Sequence, residues 1–418
     1  MKLNKIALAL AALAAAPVAF AHSPTTTPDL VVRISGASAQ QGTLVKIAET
    51  MMVAGTIDVF YNDASGKDHR AVFGTMKPTG TAIGVLNTTI PASIGGKKVL
   101  ILDRAAGGSF YGVGPVARAQ AIAAMKVDGS CTSSGNTFPN PSYYCAGTEL
   151  QVSDAGVSDV EPGMFRGPNL PVGETALSAA ELAVLDVASQ NGVVMGIAVT
   201  NNYPYTTISK AAVQSIMTGT YTDWSQVNAS LSGPITLETR AAGSGTKSAA
   251  NAFFLNAPCS TAGLSPFGAQ GDPVNFSTYT VVENGSTGGV KSGLNSVYAK
   301  GQMGLGLVSL ENTPSGSDNW KFVAIDGVAP TIANAVSGDY QFFVEQSMQW
   351  RSSTNGTAVG DVLNTFRTVS SDPAILSILP GVAATPFNYD PAYAAITLKG
   401  TRAAVSGPNT CQPLQLFY

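Results

Sequence analysis

Arg240, Ser244, Gly245 and Thr246 fall in one short run, Arg240-Ala241-Ala242-Gly243-Ser244-Gly245-Thr246. Together they have the donors that hold an oxyanion. An arginine presents a fixed fork of N–H groups that matches two oxygens at once. Serine and threonine hydroxyls rotate to fit, and glycine lets the backbone come close to a ligand. Where a helix begins at such a turn, its first N–H groups are unpaired and carry partial positive charge. A bland strand-to-helix connection with a surface arginine uses the same residues, so the run gains meaning from its companions.

The elements around it are those of an α/β sheet. Ile235–Thr239 reads as a strand and Lys247–Leu255 as a helix, with the run between them. The same order recurs twice. Leu30–Ile34 is a strand, Ser35–Ala39 a turn that contains Ser38, and Leu44–Met52 a helix. Lys98–Leu102 is a strand, Arg104–Ser109 a turn, and Val116–Met125 a helix-like stretch. Strand, small-residue turn and helix make the unit from which α/β lobes are built. Asp154–Pro162 adds carboxylates in a further small-residue turn. Gly192–Val199 is a continuous apolar run suited to a buried strand or a crossing between lobes. Ser209–Met217 reads as a short helix, Gly289–Val308 as helix then strand, and 339–369 as mostly helical.

Length and composition set the frame. The N-terminus has Lys2 and Lys5, an apolar run Ile6–Phe20, and small residues at Ala19 and Ala21. This is the pattern of a secretory signal peptide, residues 1–21, cut before His22. The 397 residues that remain are too many for one ordinary core and predict two lobes. The formal charge is −3, becoming −5 with the loss of Lys2 and Lys5, and no basic patch is present. Nucleic-acid binding is excluded on that basis, and an anion site must be built from local donors. Cys131, Cys145, Cys259 and Cys411 make an even set in an oxidising compartment. Cys131 and Cys145 flank a Ser/Asn/Pro-rich stretch and pair naturally, which leaves Cys259 with Cys411. Neither pair lies in a Cys/His cluster, so no metal site is expected.

With these residues assembled, the sequence resembles the periplasmic phosphate-binding proteins that feed ABC transporters. Arg240-x-x-x-Ser244-Gly245-Thr246 has the spacing of that family's phosphate motif, and it is the one individually specific match. Asp154-Ala-Gly-Val-Ser158-Asp159 is similar to the segment whose Ser-Asp pair delivers a binding carboxylate. Gly108-Ser109-x-x-Gly112-Val113 is similar to a turn whose serine donates to the anion. Gly36-Ala37-Ser38-Ala39 stands where the family usually has Thr-Phe. The departures are that substitution, an extra cation at Arg104, and a longer path from Ser109 to Asp159, partly an irregular insertion at 127–148.

The resemblance implies a type II periplasmic binding fold, two α/β lobes with the ligand cleft between them. Residues 22–190 and 309–418 would form the first lobe and 191–308 the second. Ser38, Ala39, Ser109 and Asp159 would face Arg240, Ser244, Gly245 and Thr246 across the cleft. It also implies a monomer with phosphate or a related oxyanion as ligand, an ABC permease as partner, no cofactor and no catalysis. Asp159 would accept a proton from monohydrogen or dihydrogen phosphate, whereas fully ionised sulfate has none to give and would be repelled. A helix N-cap is the other reading of Asp159. Arg104 either joins the site and favours a larger phosphate compound, or forms an ion pair elsewhere. Three rival functions keep their own tests. A secreted binder uncoupled from transport would lack a permease. A phosphate-ester hydrolase would need a base, and His22 and His69 are in no triad-like context. A terminal His22 with His69 could hold copper.

Overall fold

A computed structural model describes residues 21–270, 276–385 and 411. The expected signal sequence up to residue 20, and the end of the expected first lobe at 386–410 and 412–418, lie outside the described residues. The chain is a two-lobed α/β protein. Among the described residues no helix is long and apolar enough to cross a membrane.

The first lobe is organised around the strand Leu30–Gly36. It lies between two parallel partners, Lys98–Arg104 and Ala155–Ser158. Buried Val32 and Ile34 put its core face against Leu44, Ile47 and Ala48 of the helix Ala39–Met51. Met348, Val362 and Phe366, far along the chain, pack into the same core. The second lobe has the strand Thr236–Arg240 between parallel partners Thr280–Asn284 and Gly304–Ser309. The helices Gly245–Leu255 and Thr287–Ala299 pack on it.

A strand shared by both sheets joins the lobes. Leu185–Thr200 runs 16 residues. Its first half pairs antiparallel with Phe343–Arg351, and its second half with Gly304–Ser309 and Trp320–Ile325. The apolar run at 192–199 is this crossing. Trp320–Ile325 stays on the second-lobe half of the crossing strand, and the chain reaches the first-lobe sheet only at Phe343–Arg351, which bridges Ala155–Ser158 and the crossing strand.

Two elements differ from the sequence reading. Val116–Met125 is not one helix. Gly114–Arg118 is helical, Ala119 is left-handed at φ 50°, and Ala121–Met125 is a strand antiparallel to Thr148–Val152. Alanine favours helix locally, and ladder pairing with a distant segment overrides it. The stretch 339–369 is likewise not mostly helical: Phe343–Arg351 is a strand, and the helix runs from Ala358 to Ser370. That strand has neighbours on both edges and both faces covered. Glu345, Gln346, Ser347 and Gln349 are buried along with its apolar residues, so no alternation of polarity marks it.

Both expected disulfides are present, Cys131–Cys145 and Cys259–Cys411. The insertion at 127–148 is less irregular than expected. Tyr143–Tyr144 pairs parallel with Phe60–Tyr61 at the sheet edge, and Thr132–Ser133 pairs with it in turn. The disulfide-closed loop thus covers an edge strand that would otherwise offer unpaired backbone groups.

Candidate functional site

The turn after Thr236–Arg240 is built as its residue types require. Arg240 ends the strand, Gly243 turns at φ 91°, and Ser244 is the N-cap of the helix Gly245–Leu255. Ser244 accepts no capping bond, and its buried hydroxyl has no partner among the described residues. A buried hydroxyl left so costs about 1–3 kcal/mol, a cost removed when an acceptor arrives. The N–H groups of the first helical turn point the same way.

Arg240 is buried and held by its own lobe. Its Nε donates to the Asn284 carbonyl at 3.3 Å, one Nη to Thr287 Oγ1 at 2.9 Å, and the other to the Gly285 carbonyl at 3.2 Å. A guanidinium has five N–H groups, so one on each terminal nitrogen remains uncommitted. Burial lowers its pKa and the Asp159 charge opposes this. The neighbouring Lys247 cation is answered by Glu283.

The facing wall comes from three first-lobe segments drawn together by glycines. A β-carbon on Gly156 would stand 1.7 Å from the Gly112 carbonyl oxygen, and one on Gly112 2.5 Å from that of Val157. Gly36, at φ 123°, would put a β-carbon 2.0 Å from the same Val157 oxygen. Only residues without a β-carbon let the strands Leu30–Gly36 and Ala155–Ser158 and the turn Ser109–Gly112 meet so closely. Their ends then bring Ser38, Ser109 and Asp159 to one place.

Asp159 is the carboxylate of that wall. Ser109 Oγ donates to its Oδ2 at 3.2 Å, and Gln346 Nε2 to its Oδ1 at 3.2 Å. Burial raises its pKa, while the bond from Gln346, the charge of Arg240 and the bond from Ser109 act against the rise. It is not an N-cap: the next turn is the 3-10 segment Pro162–Met164, which has Glu161 at that position.

One compact cavity, about 10 Å³, is lined by Ser38, Ala39, Ser109, Asp159, Arg240, Ser244, Gly245 and Thr246. All eight residues singled out in the sequence therefore meet. Gly245 lies against Asp159 and Ser109, and the Phe110 N–H donates to the Gly243 carbonyl at 2.9 Å, so the two turns touch across the cleft. Sequence reading missed Thr287, which orients Arg240; Gln346, which orients Asp159; and Glu311, which shares the cavity. Glu311 is partly buried and accepts from Ser309 Oγ at 3.3 Å. Burial first, and the Asp159 charge second, push it up to about 7. Only Thr287 had a local signal, the Ser286-Thr287-Gly288-Gly289 helix start.

Arg104 does not line this cavity. It donates to the carbonyls of Ala123 and Ala106 and lies over the Tyr111 ring, pinning the strand Ala121–Met125, and it forms no ion pair among the described residues. The histidines are also elsewhere. His22 bonds Thr75 Oγ1 at 2.8 Å, and buried His69 is in register with Arg104.

Among solved structures, the chain is similar to a protein from Clostridium perfringens crystallised with bound phosphate (15% identity, 84% of this chain and 99% of that one, TM-score 0.47). It is similar also to an ABC-type phosphate transport receptor from Vibrio cholerae (14% identity, 83% and 97%, TM-score 0.45). A third is a phosphate-binding protein from Stenotrophomonas maltophilia (15% identity, 91% and 96%, TM-score 0.42). No curated protein sequence matches the chain. Residues 186–371, which hold the crossing strand and the Arg240–Thr246 turn, match the PBP superfamily domain.

Proposed function

We propose that this is an exported solute-binding protein that holds phosphate, or a similar protonated tetrahedral oxyanion, between its lobes. One observation carries the reading: a single small cavity joins the uncommitted N–H groups of Arg240 and the unpartnered hydroxyl of Ser244 to a carboxylate, Asp159, whose charge burial disfavours. Donors alone would take any small oxyanion. Donors facing a carboxylate favour one that brings its own O–H. Asp159 accepts that proton, Arg240 and the helix start at Gly245 balance the charge, and Ser109, Ser38 and Thr246 complete the shell. Binding needs no covalent step, metal or cofactor.

The apolar, lysine-flanked start of the chain supports export, to a periplasm or the exterior. An ABC permease that recognises the closed lobes is the partner this role asks for. Where no such permease exists, the same site serves a secreted phosphate binder. For the lobes, we place the second from 191 to about 342 and give the first the rest.

The test is calorimetric titration with phosphate and with sulfate, on the natural protein and on Asp159→Asn. The expected result is that phosphate binds the natural protein and sulfate does not. The variant should lose most of that discrimination, because the amide no longer repels a fully ionised ligand. Failure of phosphate to bind the natural protein removes the reading.

A further inference from the structure

The oxyanion cavity adjoins a second, more open chamber of about 350 Å³, and the two share Ser38, Ala39, Thr287 and Glu311 in their walls. That volume is in the range of small-molecule sites, from about 300 Å³ upward. Two helices begin at this chamber, Ala39–Met51 with Gln41 and Gly42 in its first turn, and Thr287–Ala299 with Gly288. Both point their partially positive ends at it. Lys67 and Arg70 add two cations. Arg70 is anchored, with Nε donating to the Gly66 carbonyl and one Nη to the Gln41 carbonyl, each at 2.7 Å. Its guanidinium lies over the Tyr61 ring, and its second terminal nitrogen has no hydrogen bond among the described residues.

Gln41 supplies an independent observation. It lines the chamber at 4% exposure, and its Nε2 has no partner among the described residues. A buried amide donor in that condition costs about 1–3 kcal/mol, and an acceptor in the chamber would recover it. A cleft mouth that only admits a bare ion needs neither this donor nor the paired cations.

We infer that the ligand is a two-headed anion, with a phosphoryl group in the inner cavity and a second anionic group, a carboxylate or another phosphoryl, in the outer chamber. The inference rests on the phosphoryl reading of the inner cavity. Glu311 stands where the two chambers meet, and its Oε1 takes the Ser309 hydroxyl. Held near neutrality in its upper range, about 7, it can be a proton donor to such a ligand instead of a fixed opposing charge.

The experiment titrates the mature protein with inorganic phosphate, ethyl phosphate, phosphoglycolate and pyrophosphate. It repeats the series on Lys67→Gln and on Gln41→Met, which keeps the volume and removes the amide. Phosphoglycolate or pyrophosphate should bind about tenfold tighter than ethyl phosphate. Each variant should weaken the two-headed ligands about three- to tenfold, with phosphate itself changed less than about twofold. If the two-headed ligands gain nothing over ethyl phosphate, or keep their affinity in both variants, the inference is overturned while the phosphate reading stands. If no phosphoryl compound binds, the phosphate reading fails first and this one with it. Arg240→Ala should weaken every ligand in the series about thirtyfold or more, and two-headed ligands that keep their affinity in it would place their phosphoryl group elsewhere and overturn the inference.

Discussion

Gly245 and Asp159 meet across the cleft with no room for a side chain between them. A β-carbon on Gly245 would stand 2.5 Å from both Cβ and Oδ2 of Asp159, and 2.5 Å from Ser109 Oγ. The helix start of one lobe thus lies directly on the carboxylate of the other. Its free N–H groups and partial positive charge reach the site because residue 245 is glycine. The backbone at 245 is ordinary helix, so the requirement is closeness and not an unusual backbone angle.

Gly245→Ala should therefore act on closure and not on folding. Alanine is the better helix former by about 1 kcal/mol, so the ligand-free melting temperature should stay or rise. The added methyl holds the walls apart, and phosphate affinity should fall at least about tenfold. Titration together with thermal melting checks both halves, and an unchanged affinity would show that the lobes need not meet at this point.

Arg240→Ala should cost the most affinity of any single change in the site. It removes a buried cation that faces Asp159 and leaves the Asn284 and Gly285 carbonyls without its bonds. Truncating one partner of a buried charged contact costs about 2–5 kcal/mol, about thirtyfold or more in affinity. Arg240→Lys should recover part of the charge and little of the forked geometry. Phosphate affinity of both variants by calorimetry tests this, and near-natural binding in Arg240→Ala is the result that removes the site.

Ser244→Ala separates binding from stability. The hydroxyl is buried with no partner among the described residues, so its loss should leave the stability of the protein alone equal or slightly higher. With ligand present it is a donor, and its loss should weaken phosphate about three- to tenfold. Denaturant melts and titrations of the same sample distinguish this from a capping role, which would lower stability instead.

The parts of the site legible in the sequence were those written in consecutive residues. Arg240 to Thr246 is a strand end, a turn and a helix start in one run, and each residue type names its own task. Ser38 and Ser109 are in turns of the same kind. What stayed hidden depends on pairing between distant segments. Gln346 orients Asp159 from the strand Phe343–Arg351, whose buried polar residues erase the alternation by which a strand is read. Ala121–Met125 has a helix-forming composition and becomes a strand through Thr148–Val152. Glu311 follows the strand Gly304–Ser309 with no motif around it, and only the folded sheet brings it beside Asp159.

Glu311 gives the ligand-free protein a pH dependence of definite sign. Its carboxyl is pushed up to about 7 from an ordinary glutamate value of 4.5. Between those values the folded protein holds a proton that the unfolded chain has released. The contribution to stability is full below the unfolded value and is lost as pH rises through the folded one. The melting temperature of the natural protein should thus fall relative to Glu311→Gln as pH rises from about 5 to about 8. Asp103, buried and also pushed up to about 7, acts in the same direction, but it is present in both proteins and cancels in the comparison. Parallel melting curves for the two proteins across that range would mean that the Glu311 proton is not retained on folding. In that case Asp159 would be the one carboxyl group of the cavity left to meet a protonated ligand.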